Sequence, residues 1–285
     1  MRKIEFTKIA ASGNDFVIIE TSNQPALVKR NGPGKPVTRN LKLLAKEICA
    51  RKFGVGADGL LVLEKSKKAD IRMRIFNADG SEAEMCGNGA RCTALYYSRN
   101  QKPVTSNQIK IETKAGVIES QVKADSVKIK LTEPKDYNPG LPIKINEREL
   151  KINSINTGVP HAVIFVEGIE HIDVLSLGRQ IRYYECFASA GTNVDFVEVI
   201  NKNTIKVRTY ERGVEDETLA CGTGAAASAI VYSLQSAIHN LKNKINIITQ
   251  GGETLKVYFD RKNDKITNVW LEGKVKIVYS GEYYV

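Results

Sequence analysis

The feature that most constrains this 285-residue chain is a motif that occurs twice. Around Cys86 it reads SEAEMCGNGARC, and around Cys221 it reads DETLACGTGAAA. Both copies contain E-x-x-x-C-G-x-G-A, with Glu82 over Glu217 and Ala90 over Ala225, and the cysteines are 135 positions apart. Three flanking blocks repeat in the same order. SGNDFVII lies over TGVPHAVI (Gly13 over Gly158), GVGADGLLV over GTNVDFVEV (Gly54 over Gly191), and IRMRIFN over IKVRTYE (Asn77 over Glu211). Four ordered matches imply an internal duplication, and so two halves of one topology.

Each half alternates strands with a helix. Ile71 to Phe76 and Thr204 to Tyr210 alternate apolar and polar residues as half-buried strands do. Ile109 to Thr113, Val127 to Leu131 and Leu255 to Phe259 predict further strands. After each C-G-x-G, GARCTALYYSR and GAAASAIVYSLQ are rich in Ala and Leu and lack internal Pro or Gly, which predicts a buried helix starting at the glycines. The class is mixed α/β with many antiparallel pairs. TEPKDYNPGLP concentrates turn residues and marks a boundary near Pro134 to Pro142. Asn23 to Asn40, with three prolines and two glycines, reads as an exposed loop.

Composition narrows the function classes. No run approaches the ~18 apolar residues of a membrane span. The alternating N-terminus, MRKIEFTKIAASGNDFVIIE, reads as a strand rather than a signal peptide, which points to the cytoplasm. The five cysteines are odd in number and none forms C-x-x-C, against a disulfide framework or a zinc ribbon. Free thiols are expected, with Cys49, Cys92 and Cys186 as small buried hydrophobes. The net charge is +10, but Lys and Arg are dispersed and the densest run is only Lys65, Lys67 and Lys68. That is a solvated surface, not a nucleic-acid patch, although its field favours a substrate with carboxylates.

The motif itself suits proton transfer. The first N–H groups of a helix lack internal partners and, with the helix dipole, favour a carboxylate. Glycine allows close approach to that backbone, and a cysteine at the same terminus has its thiolate stabilised. Two copies could therefore serve the two faces of one α-carbon, a thiolate removing a proton and a thiol returning one.

The blocks SGNDF, FGVGADG, RIFNADGSEAEMCGNGARC, NTGVPHAV, GTNVDFVEV and RTYERGVEDETLACGTGA run in order over most of the chain. Through them it resembles the diaminopimelate epimerases. The resemblance implies two pseudo-symmetric domains, each a mostly antiparallel strand barrel around a central helix, with the active site in the interdomain cleft. The halves are expected at 1–133, completed by a C-terminal strand at 274–285, and at 134–273. It also implies no pyridoxal phosphate, no other cofactor and no metal. Cys86 and Cys221 would be the acid/base pair, the first acting on the LL isomer and the second on the meso isomer. Gly87, Asn88, Gly222 and Thr223 would hold the reacting carboxylate. Asn14, Asn77, Asn193, Glu211 and Arg212 would contact the amino and carboxyl groups, with His161 in support. Arg212 and Glu211 are suited to pair with a carboxylate and an ammonium.

The chain departs from the family pattern where Val159 replaces a common Asn of G-N-P-H and where Gly59 stands in place of Gln. Both changes concern the distal end of the substrate. The expected partner is a small amino acid, with neither nucleic acid nor membrane; assembly as a homodimer stays open. Competing readings are a racemase of the same architecture for histidine or a proline derivative, an amino-acid binding protein, and a thiol redox protein.

Overall fold

The computed structural model describes residues 3–21, 28–30, 36–38, 40–100, 107–145, 147–236 and 244–285. The chain forms two compact units, Met1–Ile129 with Gly273–Val285, and Lys130–Glu272. In chain order the first unit carries β1 (Lys3–Ala11), β2 (Asn14–Glu20), the short β3 (Val28–Arg30) and β4 (Pro36–Thr38), α1 (Leu41–Cys49), β5 (Gly59–Glu64), β6 (Ile71–Asn77), β7 (Glu82–Ala83), α2 (Gly87–Asn100), β8 (Gln108–Thr113), β9 (Gly116–Lys123) and β10 (Ser126–Lys130). The second carries β11 (Lys135–Ile145), β12 (Arg148–Asn156), β13 (Pro160–Phe165), α3 (Val174–Arg182), β14 (Asn193–Asn201), β15 (Thr204–Glu211), β16 (Asp216–Thr218), α4 (Gly222–Gln235), β17 (Lys244–Thr249), β18 (Thr254–Lys262) and β19 (Lys265–Lys274). The chain ends in β20 (Lys276–Tyr284), which belongs to the first unit. Most of the 23–40 stretch lies outside the described residues; within it β3 and β4 form an antiparallel pair and Asn40 caps α1.

The duplication holds strand by strand. In the first unit the hydrogen-bonded order is β20-β1-β2-β5-β6-β8-β9-β10, with β7 added on β6. In the second it is β11-β12-β13-β14-β15-β17-β18-β19, with β16 added on β15. The same two steps are parallel in both, β2–β5 and β6–β8 against β13–β14 and β15–β17. A parallel step needs a crossover, and a helix lies between the two strands of each: α1 and α2 in one unit, α3 and α4 in the other. The class is thus mixed α+β, mostly strands.

The helices sort by composition. α2 packs against β1, β2, β5, β6, β8 and β9, and α4 against the equivalent six, β12, β13, β14, β15, β17 and β18. A helix enclosed in this way is buried all round. Accordingly Asn88 to Leu95 of α2 and Gly224 to Ser233 of α4 are buried without interruption. α1 and α3 cover the other sheet faces, through Leu44, Ala45 and Ile48 on Val17, Leu60 and Val62, and through Val174 and Ile181 on Val194 and Phe196. β5 is therefore covered on both faces, which explains its unbroken run Leu60-Leu61-Val62-Leu63.

Two readings of the sequence are corrected. TEPKDYNPGLP, read as a cluster of turn residues, forms a strand instead: from Lys135 it is β11, which among the described residues of the second unit pairs with β12. Prolines are tolerated on such an edge, and the register shifts twice along the strand, with Asp136 and Gly140 at positive φ. The match of GVGADGLLV to GTNVDFVEV is also out of register. Gly59 sits beside Phe16 as Asn193 sits beside His161, and Leu61 faces Ile75 as Asp195 faces Thr209. Asp195 is therefore the counterpart of Leu61, not of Asp58.

β20 occupies in the first unit the place that β11 has in the second. It pairs with β1 from Lys3–Tyr284 to Ala10–Lys276, and Tyr283 and Val285 pack on the core under α1. Truncation after Val275 is expected to cost about 3 kcal/mol or more, roughly 10 °C in Tm. Thermal melting with hydrogen exchange checks this: protection should fall in β1 and β2 and persist in β14. Equal loss in both units would contradict the assignment of β20.

Candidate active site

Both cysteines stand immediately before a buried helix. Cys86 precedes α2, the carbonyl of Cys86 accepts from Ala90 N–H at 2.8 Å, and Gly89 N–H donates to Cys86 Sγ at 3.4 Å. Cys221 is the N-cap of α4; its carbonyl accepts from Ala225 N–H at 2.9 Å, and Gly224 N–H donates to its Sγ at 3.4 Å. Each sulfur thus takes an N–H that the helix itself cannot satisfy. The second glycine of each motif has a packing reason. A Cβ on Gly89 would lie 3.1 Å from Leu61, and one on Gly224 would lie 2.3 Å from the Asp195 carboxylate. The first glycines, Gly87 and Gly222, are partly exposed at the helix starts.

In the first unit a directional chain of hydrogen bonds orients two amides. Buried Arg91 donates to Asn88 Oδ1, Asn88 Nδ2 donates to Asn14 Oδ1 at 2.7 Å, and Asn14 Nδ2 donates to Asp58 Oδ2 at 3.2 Å. A guanidinium can only donate and a carboxylate can only accept, so both ends of the chain fix the same orientation. Each amide keeps one N–H, which suits an anionic ligand. Asp58 is held by Arg51 at 2.6 Å, and Arg51 also grips Asp15 with two nitrogens at 3.1 and 2.9 Å. Burial raises the Asp15 carboxyl, but hydrogen bonds from Arg51 and Lys8 prevail and hold it at about 2. Asn77 is exposed and its amide donates to Ser81 Oγ at 2.9 Å.

The second unit builds its site differently. Asn193 is buried; its Nδ2 donates to the Pro160 carbonyl at 3.0 Å and its Oδ1 accepts from Arg212 N–H at 2.9 Å. It anchors the turn that carries Glu211 and Arg212 to the start of β13. Among the described residues the Arg212 side chain reaches the Ala190 carbonyl, at 3.5 Å. Thr223 Oγ1 lies 3.4 Å from Cys221 Sγ, and its carbonyl accepts from Thr157 Oγ1 at 3.1 Å. His161 is fully buried, with Nδ1 2.7 Å from Asp195 Oδ2. Burial pushes the Glu211 carboxyl up.

One chemical expectation is reversed. A helix start should lower a cysteine pKa, yet at Cys221 burial, with Glu211 and Asp195 nearby, pushes the thiol well above its ordinary value; the hydrogen bonds from Thr223 and Gly224 offset only part. Cys221 is a neutral thiol in this environment. Of the other cysteines, all free, Cys92 and Cys49 are buried with raised pKa values, Cys49 at about 12. Cys186 is exposed in the turn Glu185–Phe187, not a core residue. Among the described residues no group of three or more His, Cys, Asp or Glu is arranged around a metal position, and no helix is long and apolar enough to cross a membrane.

A duplicated α+β fold with a thiol at each central helix start defines a class, and comparison places the chain within it. Two solved structures share the fold over nearly the whole chain. A phenazine biosynthesis protein of the PhzF family from Bacillus anthracis has a TM-score of 0.73 at 17% identity, covering 100% of both chains. A hydroxyproline epimerase from Agrobacterium vitis has a TM-score of 0.68 at 13% identity, covering 99% of this chain and 91% of its own. At such identities only the fold is shared. The chain belongs to the diaminopimelate epimerase family, whose sequence model matches residues 6–136 and 153–278. Curated diaminopimelate epimerases from Aquifex aeolicus and Hydrogenobaculum are each 41% identical, over 98% and 96% of this chain and 97% and 96% of their own length. One from Methanocella arvoryzae is 38% identical over 99% and 97%.

The Asp15 cluster carries a pH dependence. Its pKa is depressed from an unfolded value of about 3.9, so its contribution is present above that pH and is lost as pH falls toward 2. After discounting for solvent screening, about 1 kcal/mol should disappear between pH 4 and 2. Asp15→Asn should flatten that part of an acid-unfolding curve. An unchanged acid limb in the variant would contradict this.

Proposed function

We infer that this chain is an epimerase that interconverts LL- and meso-diaminopimelate by moving a proton at the α-carbon between two thiols. The supporting observation is the duplicated helix start, in which an otherwise unpaired N–H faces the sulfur of Cys86 and of Cys221. Full-length identity of 41% to curated diaminopimelate epimerases gives the substrate.

The step balances with thiols alone. A thiolate takes the α-proton and the Cα–H bond breaks. Its electron pair delocalises into the substrate carboxylate, which the helix-start N–H groups at Gly87–Asn88 and Gly222–Thr223 stabilise as charge builds. The second thiol then gives its proton to the opposite face, and the two sulfurs have exchanged protonation states. As in the family the chain belongs to, Cys86 is assigned as the base for the LL isomer and Cys221 as the base for the meso isomer. The reading calls on neither pyridoxal phosphate nor a metal. The spare N–H groups of Asn14 and Asn88 are assigned to a carboxylate, Arg212 to a carboxylate, Glu211 to an ammonium, and Asn77 to the substrate amino-acid groups. Asn193 acts through the Arg212 turn it anchors. The reaction then belongs to lysine and peptidoglycan-precursor synthesis in the cytoplasm, with a small amino acid as partner; a homodimer is proposed as the working assembly.

Incubation in deuterium oxide tests the substrate. LL-Diaminopimelate should give meso product labelled at the inverted carbon, while L-histidine and L-proline derivatives stay unlabelled. Because one thiolate and one thiol are required, the rate should follow a bell-shaped pH curve. Labelling of another amino acid with none on diaminopimelate would move the reading to a racemase of a different substrate.

A further inference from the structure

The two units differ at three equivalent core positions facing their central helices. In the first unit these are Phe16, Leu61 and Ile75 on β2, β5 and β6, all apolar and buried. In the second they are His161, Asp195 and Thr209 on β13, β14 and β15, polar and equally buried. The fold is thus made in one unit without any polar group at these positions. Burying three such groups costs free energy unless each is paired, so their presence in the second unit calls for a reason other than folding.

Their geometry supplies it. The Asp195 carboxylate accepts from Thr209 Oγ1 at 2.7 Å through Oδ1 and lies 2.7 Å from His161 Nδ1 through Oδ2. Gly224, whose Cβ would collide with Oδ1, leaves the carboxylate room beside the start of α4. A carboxylate offers only acceptors, so the proton of the ring lies on Nδ1. In the neutral ring Nε2 then carries the lone pair, and among the described residues it has no hydrogen-bond partner although it is buried. The other titratable groups of this cluster are the carboxyl of Glu211 on β15 and the thiol of Cys221 at the start of α4. A buried acceptor without a partner is costly to keep, unless a reacting group supplies the partner.

We propose that Asp195, supported by Thr209, is a positioning residue of the epimerisation: it fixes the His161 ring and its tautomer so that Nε2 is presented bare to the reacting groups. The proposal rests on the epimerase reading for its consequence on rate, but not for its consequence on the ring. The arrangement repeats the logic by which a buried aspartate sets the tautomer of a catalytic histidine in serine proteases.

Nitrogen-15 NMR of histidine-labelled protein tests the ring directly, with His161→Gln assigning its signals among the three histidines. Wild-type His161 should show a protonated Nδ1 and an unprotonated Nε2. Asp195→Asn, close in shape, should keep the melting transition, shift the ring toward the Nε2–H tautomer and lower kcat about 100-fold or more with little change in KM. A triple variant, His161→Phe, Asp195→Leu and Thr209→Ile, copies the apolar set of the first unit. It should fold with a Tm at or above that of the wild type and be inactive. An Nε2–H or doubly protonated ring in the wild type would overturn the proposal, as would an Asp195→Asn enzyme with unchanged kcat. Absence of epimerase activity in the wild type itself would instead overturn the functional reading and leave the NMR result standing.

Discussion

The rest of the structure depends on one interaction, the hydrogen bond from the first turn of a buried helix to a cysteine sulfur. In both units the N–H that donates belongs to the second glycine of C-G-x-G, at 3.4 Å from Sγ. To be free of water, the helix must be surrounded by strands, and six strands pack against each. To bring its first turn against them, a residue without Cβ is needed, since Leu61 and Asp195 occupy the space a side chain would take. The parallel steps of the sheet follow in turn, because each helix lies on a crossover between parallel strands.

On that common frame the units have diverged. The first surrounds its helix start with oriented amides, Asn14 and Asn88, locked between the donors of Arg91 and the carboxylate of Asp58. The second places carboxyl groups and a histidine there, and burial, with Glu211 and Asp195 nearby, pushes the Cys221 thiol up. The duplicated frame is thus kept while a few core positions around each helix start have changed from apolar to polar.

The repeat made the fold legible: two equal halves, strands by alternation, and central helices beginning at Gly87 and Gly222. The cysteines were legible for the same reason, being duplicated in a context that constrains backbone and chemistry together. Hydrogen-bond partners distant in sequence were not. Arg91 looks like an ordinary helix cation until its burial is known, and Asp195 was hidden because identical letters drew the comparison toward Asp58, three positions out of register. The proline-rich stretch at β11 misled because turn chemistry and edge-strand chemistry use the same residues. The fall in pKa expected of Cys221 failed because desolvation depends on the surrounding strands, not on the motif.

The proposal at the centre of the functional reading is that Cys86 and Cys221 address opposite faces of one carbon atom. Two thiols that do so lie close enough to be joined by oxidant, whereas Cys49 and Cys92 are buried elsewhere. Peptide mapping after mild oxidation measures this most directly. A Cys86–Cys221 disulfide is expected, formed with loss of activity, slowed by diaminopimelate and reversed by thiol reductant. Recovery of both as free thiols in protein inactivated by oxidant, or each bonded to another cysteine, would contradict the two-thiol mechanism.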